Sequence, residues 1–251
     1  MEAATDPKSG PPLAAHGGRL GALLDLGLAL LALLACGLFA FALSRLLPKS
    51  DLTLRLAAPG EMLILFGAAT LLLRRRGETW RSLGLARPAS WRRVAALVPA
   101  GYAAAIAINA VCLLLVFPAF GLKLPSFAAL GTIKGDVGAY FYWLLLAWVS
   151  AALGEELLFR GFIWSRLERL VGGGKAAVLP ALILQALLFS LGHLYQGLAG
   201  ALVTGGLGLV LGWVYLAGRR NLVACMLLHG LIDTVSITAM FLGGVPTGIS
   251  T

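Results

Sequence analysis

Apolar residues run in long blocks rather than in alternation along almost the whole chain. Seven blocks stand out, approximately Leu20 to Leu47, Ala57 to Leu73, Val94 to Pro118, Val137 to Phe159, Ala176 to His193, Leu198 to Ala217 and Leu222 to Leu242. A hydrocarbon core of ~30 Å takes about 20 helical residues to cross, so each block predicts a transmembrane helix. The blocks are continuous and rich in Leu and Ala, unlike the short alternating segments of a barrel. The expected fold class is all-α: a polytopic membrane protein of about seven transmembrane helices.

Composition agrees with the pattern. Mean hydropathy is +0.90 and 12% of residues are charged, where an ordinary soluble domain carries about a quarter. No stretch between the blocks is long enough for a separate soluble domain. The expected organisation is a polar N-terminal tail (1–19), N-terminal transmembrane helices with a basic connection (20–136), a core in the last four helices (137–242) and a short C-terminal tail (243–251). The first block is longer than the ~7 to 15 apolar residues of a signal peptide and follows a polar tail, so it is expected to be retained. Cys36, Cys112 and Cys225 all fall inside apolar blocks, where packing rather than a disulfide framework is expected.

Charge sets the expected orientation. The N-terminal tail and the second, fourth and sixth connections hold 15 of the 20 Lys and Arg residues, against 5 on the other side. The positive-inside rule then places the N-terminus in the cytoplasm and the C-terminus outside a cell membrane. Most of the net charge of +9 lies in those cytoplasmic connections, where it meets anionic lipid headgroups. The connection from Arg74 to Arg93 is short and carries Trp80 and Trp91, which suits a stretch lying along the membrane interface and argues against a nucleic-acid partner.

Ionisable residues inside the blocks are where chemistry is sought, because they are expensive there. Glu155, Glu156 and Arg160 close the fourth block. On an α-helix Glu156 and Arg160 share a face, the acid N-terminal to the base in the favoured order. Glu155 points about 100° away. One carboxylate thus has a local partner and its neighbour is free to face another helix, as a general base requires. The alternative is that both glutamates end the span at the interface, with Arg160, Arg166 and Arg169 snorkelling.

Two of the three histidines fall in apolar surroundings. His193 follows Phe189 by one turn, and His229 precedes Asp233 by one turn on the same face. Each is open to a packing role, but an imidazole with such a companion can also orient it, bind a metal or stabilise an oxyanion. Gly172, Gly173, Gly174 and Lys175 break the chain between the fourth and fifth blocks, predicting an antiparallel hairpin. Glu155 and His193 are about equally far from its turn and should lie level. The short link from His193 to Leu198 places His193 near the end of its helix, which raises the question of whether it shares a depth with His229.

Three motifs in order, Glu155-Glu156-x-x-x-Arg160, Phe189-x-x-x-His193 and His229-x-x-x-Asp233, make the segment from Val137 to Leu242 resemble the CAAX prenyl protease and bacteriocin-processing (CPBP) intramembrane proteases, which include the Ras-converting enzyme type. The resemblance implies an intramembrane endopeptidase acting on a peptide or lipidated protein substrate, of CAAX-processing or leader-peptide-processing type. By position, Glu155 would activate water with help from His193, and His229 and Asp233 would stabilise the tetrahedral oxyanion. Glu156 and Arg160, with Phe189, would hold the architecture. Many relatives carry Asn where this chain has Asp233, so the acid has to be protonated, orient His229 or bind a cation. The resemblance also leaves two routes open: Glu155, His193 and His229 as three ligands of a zinc ion, or a glutamate-dependent route without metal. The absence of a close pair of metal-spaced histidines favours the second. The competing readings are a non-catalytic immunity or partner-binding protein of the same fold and, more remotely, a proton-coupled transporter, which the lack of an evident inverted repeat disfavours. Gly205, Gly208 and Gly212 on the sixth block predict close helix packing.

Overall fold

The computed structural model describes residues 18–46, 51–125, 127 and 133–244, with backbone alone at 40, 43, 44 and 51–58. The polar tail through Gly17, with His16, and the C-terminal tail after Gly244 lie outside the described residues. Among the described residues there is no β-strand. Seven helical stretches follow the seven apolar blocks: α1 (Gly18–Leu46), α2 (Asp51–Arg75), α3 (Trp91–Phe120), α4 (Val137–Leu170), α5 (Val178–Gly192), α6 (Gly197–Ala217) and α7 (Val223–Gly243). Six of them, all but α2, are long and apolar enough among the described residues to cross a membrane. The remaining expected span, Ala57 to Leu73, lies inside α2. The chain is therefore a multi-pass, all-α membrane protein.

Two helices change their winding partway. Cys112–Val116 of α3 and Ala147–Ile163 of α4 are π-helical, a coil with i→i+5 hydrogen bonds that turns less per residue than an α-helix. In α4 this wide coil occupies the segment that bears Glu155, Glu156 and Arg160. It then returns to α geometry over Trp164–Leu170. Gly172, Gly173 and Gly174 all take positive φ, at 108°, 72° and 69°, a conformation that glycine adopts without steric cost. This is the predicted hairpin turn, and a 3₁₀ turn at Lys175–Ala177 leads into α5.

Packing assigns each helix a place. α1 lies on α2 and on the C-terminal part of α4, α3 packs on α6 and α7, α5 packs on α6, and α7 lies against the π segment of α4. Small residues allow the closest of these approaches. A Cβ added at Gly208 of α6 would stand 3.1 Å from Cα of Ala186 on α5, and one at Gly205 would stand 3.1 Å from Cβ of Ser190. The predicted glycine packing is the seam between α5 and α6.

One end of the bundle is fastened by charge. Asp25 of α1 binds Arg76 at 3.0 Å and Arg166 at 3.1 Å. Glu78 binds Arg166 at 2.6 Å and also pairs with Arg169. Glu168 holds the Arg220 guanidinium by two hydrogen bonds of 2.6 and 2.7 Å, which raise Arg220 above the usual arginine range. Arg166 is fully buried. A guanidinium in that position is tolerable only with its carboxylates in place, because removing one partner of a buried pair costs about 3–5 kcal/mol. The α4 extension that bears Arg166 and Arg169 is clasped by α1 and by the connection between α2 and α3.

That connection is itself ordered. Thr79 and Ser82 cap a 3₁₀ turn at Trp80–Leu83, and Trp80 stacks on Phe66 at 5.1 Å while donating its indole N–H to Thr70 at 2.9 Å. Gly84 (φ 108°) accepts the Leu222 N–H at 3.0 Å. A side chain at 84 would run into the Arg220 carbonyl. These bonds join the second and sixth connections, which the charge pattern also placed on one side. Cys36, Cys112 and Cys225 are buried and free, as packing residues would be.

Candidate active site

The hairpin sets the first half of the site. Phe159 on α4 meets Phe189 on α5 edge-to-face, with ring centroids 5.0 Å apart. Each phenylalanine lies four residues on the turn side of a polar partner, Glu155 in one arm and His193 in the other. The rings therefore lock a register in which Glu155 and His193 are level.

Phe189 is fully covered and organises the centre. Its ring lies 4.6 Å from the His193 ring and 6.1 Å from the His229 ring, and the Arg160 guanidinium sits 4.5 Å over it. Both histidines thus flank one aromatic. Their common level is explained by where α5 stops: Gly192 is its last residue, His193 is the cap, and Leu194–Gln196 form a 3₁₀ turn into α6. The His193 Nδ1 lies 2.8 Å from the Phe189 carbonyl. A carbonyl only accepts, so Nδ1–H donates and Nε2 is the acceptor of the ring.

The third element, α7, faces the π coil. His229 follows Val223 by six residues, about 9 Å along the axis, and is buried. Its Nδ1 lies 2.7 Å from Glu156 Oε1, and its Nε2 lies 3.7 Å from Asp233 Oδ2. Glu156 Oε1 also accepts from Arg160 Nη1 at 2.9 Å. The predicted Glu156–Arg160 pair is present, but Glu156 is not occupied by it alone. It joins Arg160 to His229, and Arg160 passes the chain on to α6 through a 3.3 Å bond from Nη2 to the Gly208 carbonyl. Gln185 donates to the same carbonyl at 3.0 Å.

Glu155 is the neighbour left over. Its Oε2 is buried and has no hydrogen-bond partner among the described residues. The carboxylate is near enough to interact electrostatically with His229, Asp233 and Tyr195, all outside its own helix. Asp233 likewise senses Glu155, His193, Glu156 and His229. All seven residues singled out in the sequence, Glu155, Glu156, Arg160, Phe189, His193, His229 and Asp233, therefore gather at one place.

Two further residues belong to this place. Tyr195 lies 5.9 Å from the His193 ring, its hydroxyl accepts from Gln196 at 3.1 Å, and its surroundings include Glu155, Asp233 and Glu61. Glu61 of α2 could have been found as a lone carboxylate inside an apolar block. Tyr195 offers no such signal beyond its position two residues after His193. Met62, next to Glu61, packs against Gly154, so α2 closes the side of the site that the motifs leave open.

Residues 137–235 match the model of a known family, described as type II CAAX prenyl endopeptidase Rce1-like. Through this segment, 99 of the chain's 251 residues, the protein is similar to the Rce1-like family. The match contains all three motifs and leaves α1, α2 and α3 outside it. No curated protein and no solved structure matches the chain.

Proposed function

We propose that the protein hydrolyses peptide bonds at the membrane, with Glu155 as general base. The observation that carries this reading is the buried, unpartnered Oε2 of Glu155 beside His229 and Asp233. Glu156 Oε2 is also buried without a partner, but its Oε1 holds Arg160 and His229, whereas Glu155 makes no side-chain hydrogen bond among the described residues and so calls for an explanation. Water placed between Glu155 and Nε2 of His193 gives its proton to Glu155 as its oxygen bonds to the scissile carbonyl carbon. Proton transfer of this kind contributes about 10²–10⁴-fold.

The carbonyl oxygen becomes an oxyanion. His229 in its doubly protonated form donates Nδ1–H to Glu156 and Nε2–H toward the oxyanion, and a protonated Asp233 adds a second donor. When the intermediate collapses, the C–N bond breaks and Glu155 returns its proton to the leaving amine. Glu156 is a positioning residue, holding the His229 ring as a second partner holds a catalytic imidazole elsewhere. Arg160 holds Glu156 from one turn along the same helix, at 2.9 Å.

A zinc ion on Glu155, His193 and His229 is the other route. Nδ1 of each histidine bonds a carbonyl or a carboxylate, as the second ring nitrogen of a metal-ligating imidazole does, but among the described residues no three His, Cys, Asp or Glu side chains converge as a metal group. The donor set does not form a ready zinc cage, and no step above runs through a metal. Exhaustive chelation with elemental analysis tests this directly: activity lost on chelation and restored by zinc would favour the metal route.

The substrate class that fits the family is a prenylated C-terminal peptide, with a leader peptide as the second candidate. Cleavage of both by purified protein, assayed with Glu155→Gln and Glu155→Ala, tests the assignment. Both variants are expected to fold and to be inactive. Retained cleavage in a correctly folded Glu155→Ala preparation sinks the proposal. The N-terminus is placed in the cytoplasm by the charge pattern, and a protease-protection assay on tagged termini checks it.

A further inference from the structure

At the fastened end of the bundle a cavity of about 110 Å³ opens between the start of α3 and the turn joining α6 to α7. That is well above the ~10–15 Å³ that a single water needs. Pro88, Ser90, Arg93, Gly218, Arg219 and Asn221 line its polar side, and Val94, Leu97 and Ala224 its apolar floor. Two exposed arginines from different elements are among its lining residues and no acidic residue is. The acids that could have neutralised them are engaged elsewhere: Asp25 with Arg76 and Arg166, Glu78 with Arg166 and Arg169, Glu168 with Arg220. Among the described residues neither Arg93 nor Arg219 has an ion-pair partner.

The surroundings hold Arg219 in place. Arg220 is tied to Glu168, Leu222 N–H to the Gly84 carbonyl at 3.0 Å, and Asn221 to the Ala86 carbonyl at 2.8 Å. Arg219 and Arg220 both take positive φ, 59° and 60°, so the turn is tight and its bonds fix it. Like charges brought to one cavity by bonds of this kind repel each other unless an anion separates them. The depth of the cavity narrows the choice of anion. It lies where two membrane helices begin, beside Trp91, which is 53% exposed, and aromatic residues of this sort mark the headgroup level of a bilayer.

We infer that this cavity is a binding site for the phosphate ester of an anionic phospholipid, with Arg93 and Arg219 as its ligands and the Val94–Leu97–Ala224 floor receiving the start of an acyl chain. Paired guanidiniums are suited to phosphate oxygens, and hydrogen bonds to charged groups are the stronger kind. The site is separate from the proteolytic cluster and does not depend on that reading. It would fix the rotation of α3 and α7 relative to the headgroup layer.

The experiment uses the full chain purified in mild detergent, with phosphatidylglycerol, phosphatidylcholine and inorganic phosphate as probes. Native mass spectrometry and thermal stability are measured for the wild type, Arg93→Gln, Arg219→Gln, the double variant, and Arg92→Gln as an exposed control outside the cavity. Retention of phosphatidylglycerol over phosphatidylcholine, weakened about tenfold or more in the double variant and unchanged in Arg92→Gln, is the expected result. Lipid-free thermal stability of each variant separates lost binding from lost folding. Equal stabilisation by inorganic phosphate, lost in the same variants, would overturn the lipid and reassign the site to a free phosphate. Equal phosphatidylglycerol retention in the wild type and a folded double variant would overturn the site altogether.

Discussion

Glu156 Oε1 stands 2.7 Å from His229 Nδ1 and 2.9 Å from Arg160 Nη1, with both acid and base out of contact with solvent. One carboxylate thus holds a charge on its own helix and an imidazole on another. Glu156→Ala strands Arg160 in the interior and releases His229, so thermal unfolding in detergent should show a loss of about 3–5 kcal/mol. Glu156→Gln should lose less stability, since the amide can still accept from one of them. Its peptidase activity should nonetheless fall, because the His229 ring is no longer held by a charge.

Asp233 tests the oxyanion assignment. Its Oδ2 lies 3.7 Å from His229 Nε2, too far for a direct hydrogen bond and suited to a group between them. Asp233→Asn supplies a donor that needs no proton and should keep activity within about tenfold of wild type. Asp233→Ala should lose about 10²–10³-fold in kcat, as when one oxyanion donor is removed. Equal losses in both would instead indicate that the charge on Asp233 is what the site uses.

Gly208 tests the seam between α5 and α6. A Cβ there would lie 3.1 Å from backbone Cα of Ala186, and backbone cannot swing aside as a side-chain end can. Gly208→Ala should destabilise by about 1–3 kcal/mol. Because the Gly208 carbonyl also accepts from Arg160, activity should fall along with stability. Gly205→Ala, which meets only the Ser190 side chain, should be the milder change in both assays.

Asp25 tests whether α1 is anchored by charge. Asp25→Ala removes one of the two acids that hold the buried Arg166, and the first helix should loosen from α4. Faster hydrogen exchange or proteolysis at α1 and a lower Tm are expected, while the kcat of the surviving folded protein stays near wild type. A large fall in kcat at full stability would place α1 in the active site instead.

The seven helices could be read from the apolar blocks because membrane burial imposes one requirement everywhere, an unbroken apolar run. The hairpin was equally legible. Gly172 to Gly174 announced the turn, and counting outward from it put Glu155 level with His193, as the Phe159–Phe189 contact at 5.0 Å bears out. The winding of α4 was not legible, since nothing in the composition of Ala147–Ile163 separates an i→i+5 coil from an α-helix. Pairings across the fold were also hidden. Glu156 and His229 are 73 residues apart and Asp25 and Arg166 are 141 apart, and which helices touch is decided by topology rather than by spacing. Asp25 did carry a signal, a lone acid in the first apolar block, though the sequence does not name its partner.

The Gly208 carbonyl, shared by Arg160 and Gln185, has a mechanical meaning. It makes α5, α6 and the Arg160 turn of α4 a single rigid slab, since sliding α6 outward strips a buried guanidinium of an acceptor. A peptide approaching Glu155 has to part softer joints. On the α2 side Met62 packs on Gly154, and this is the wall that the proposed mechanism expects to yield.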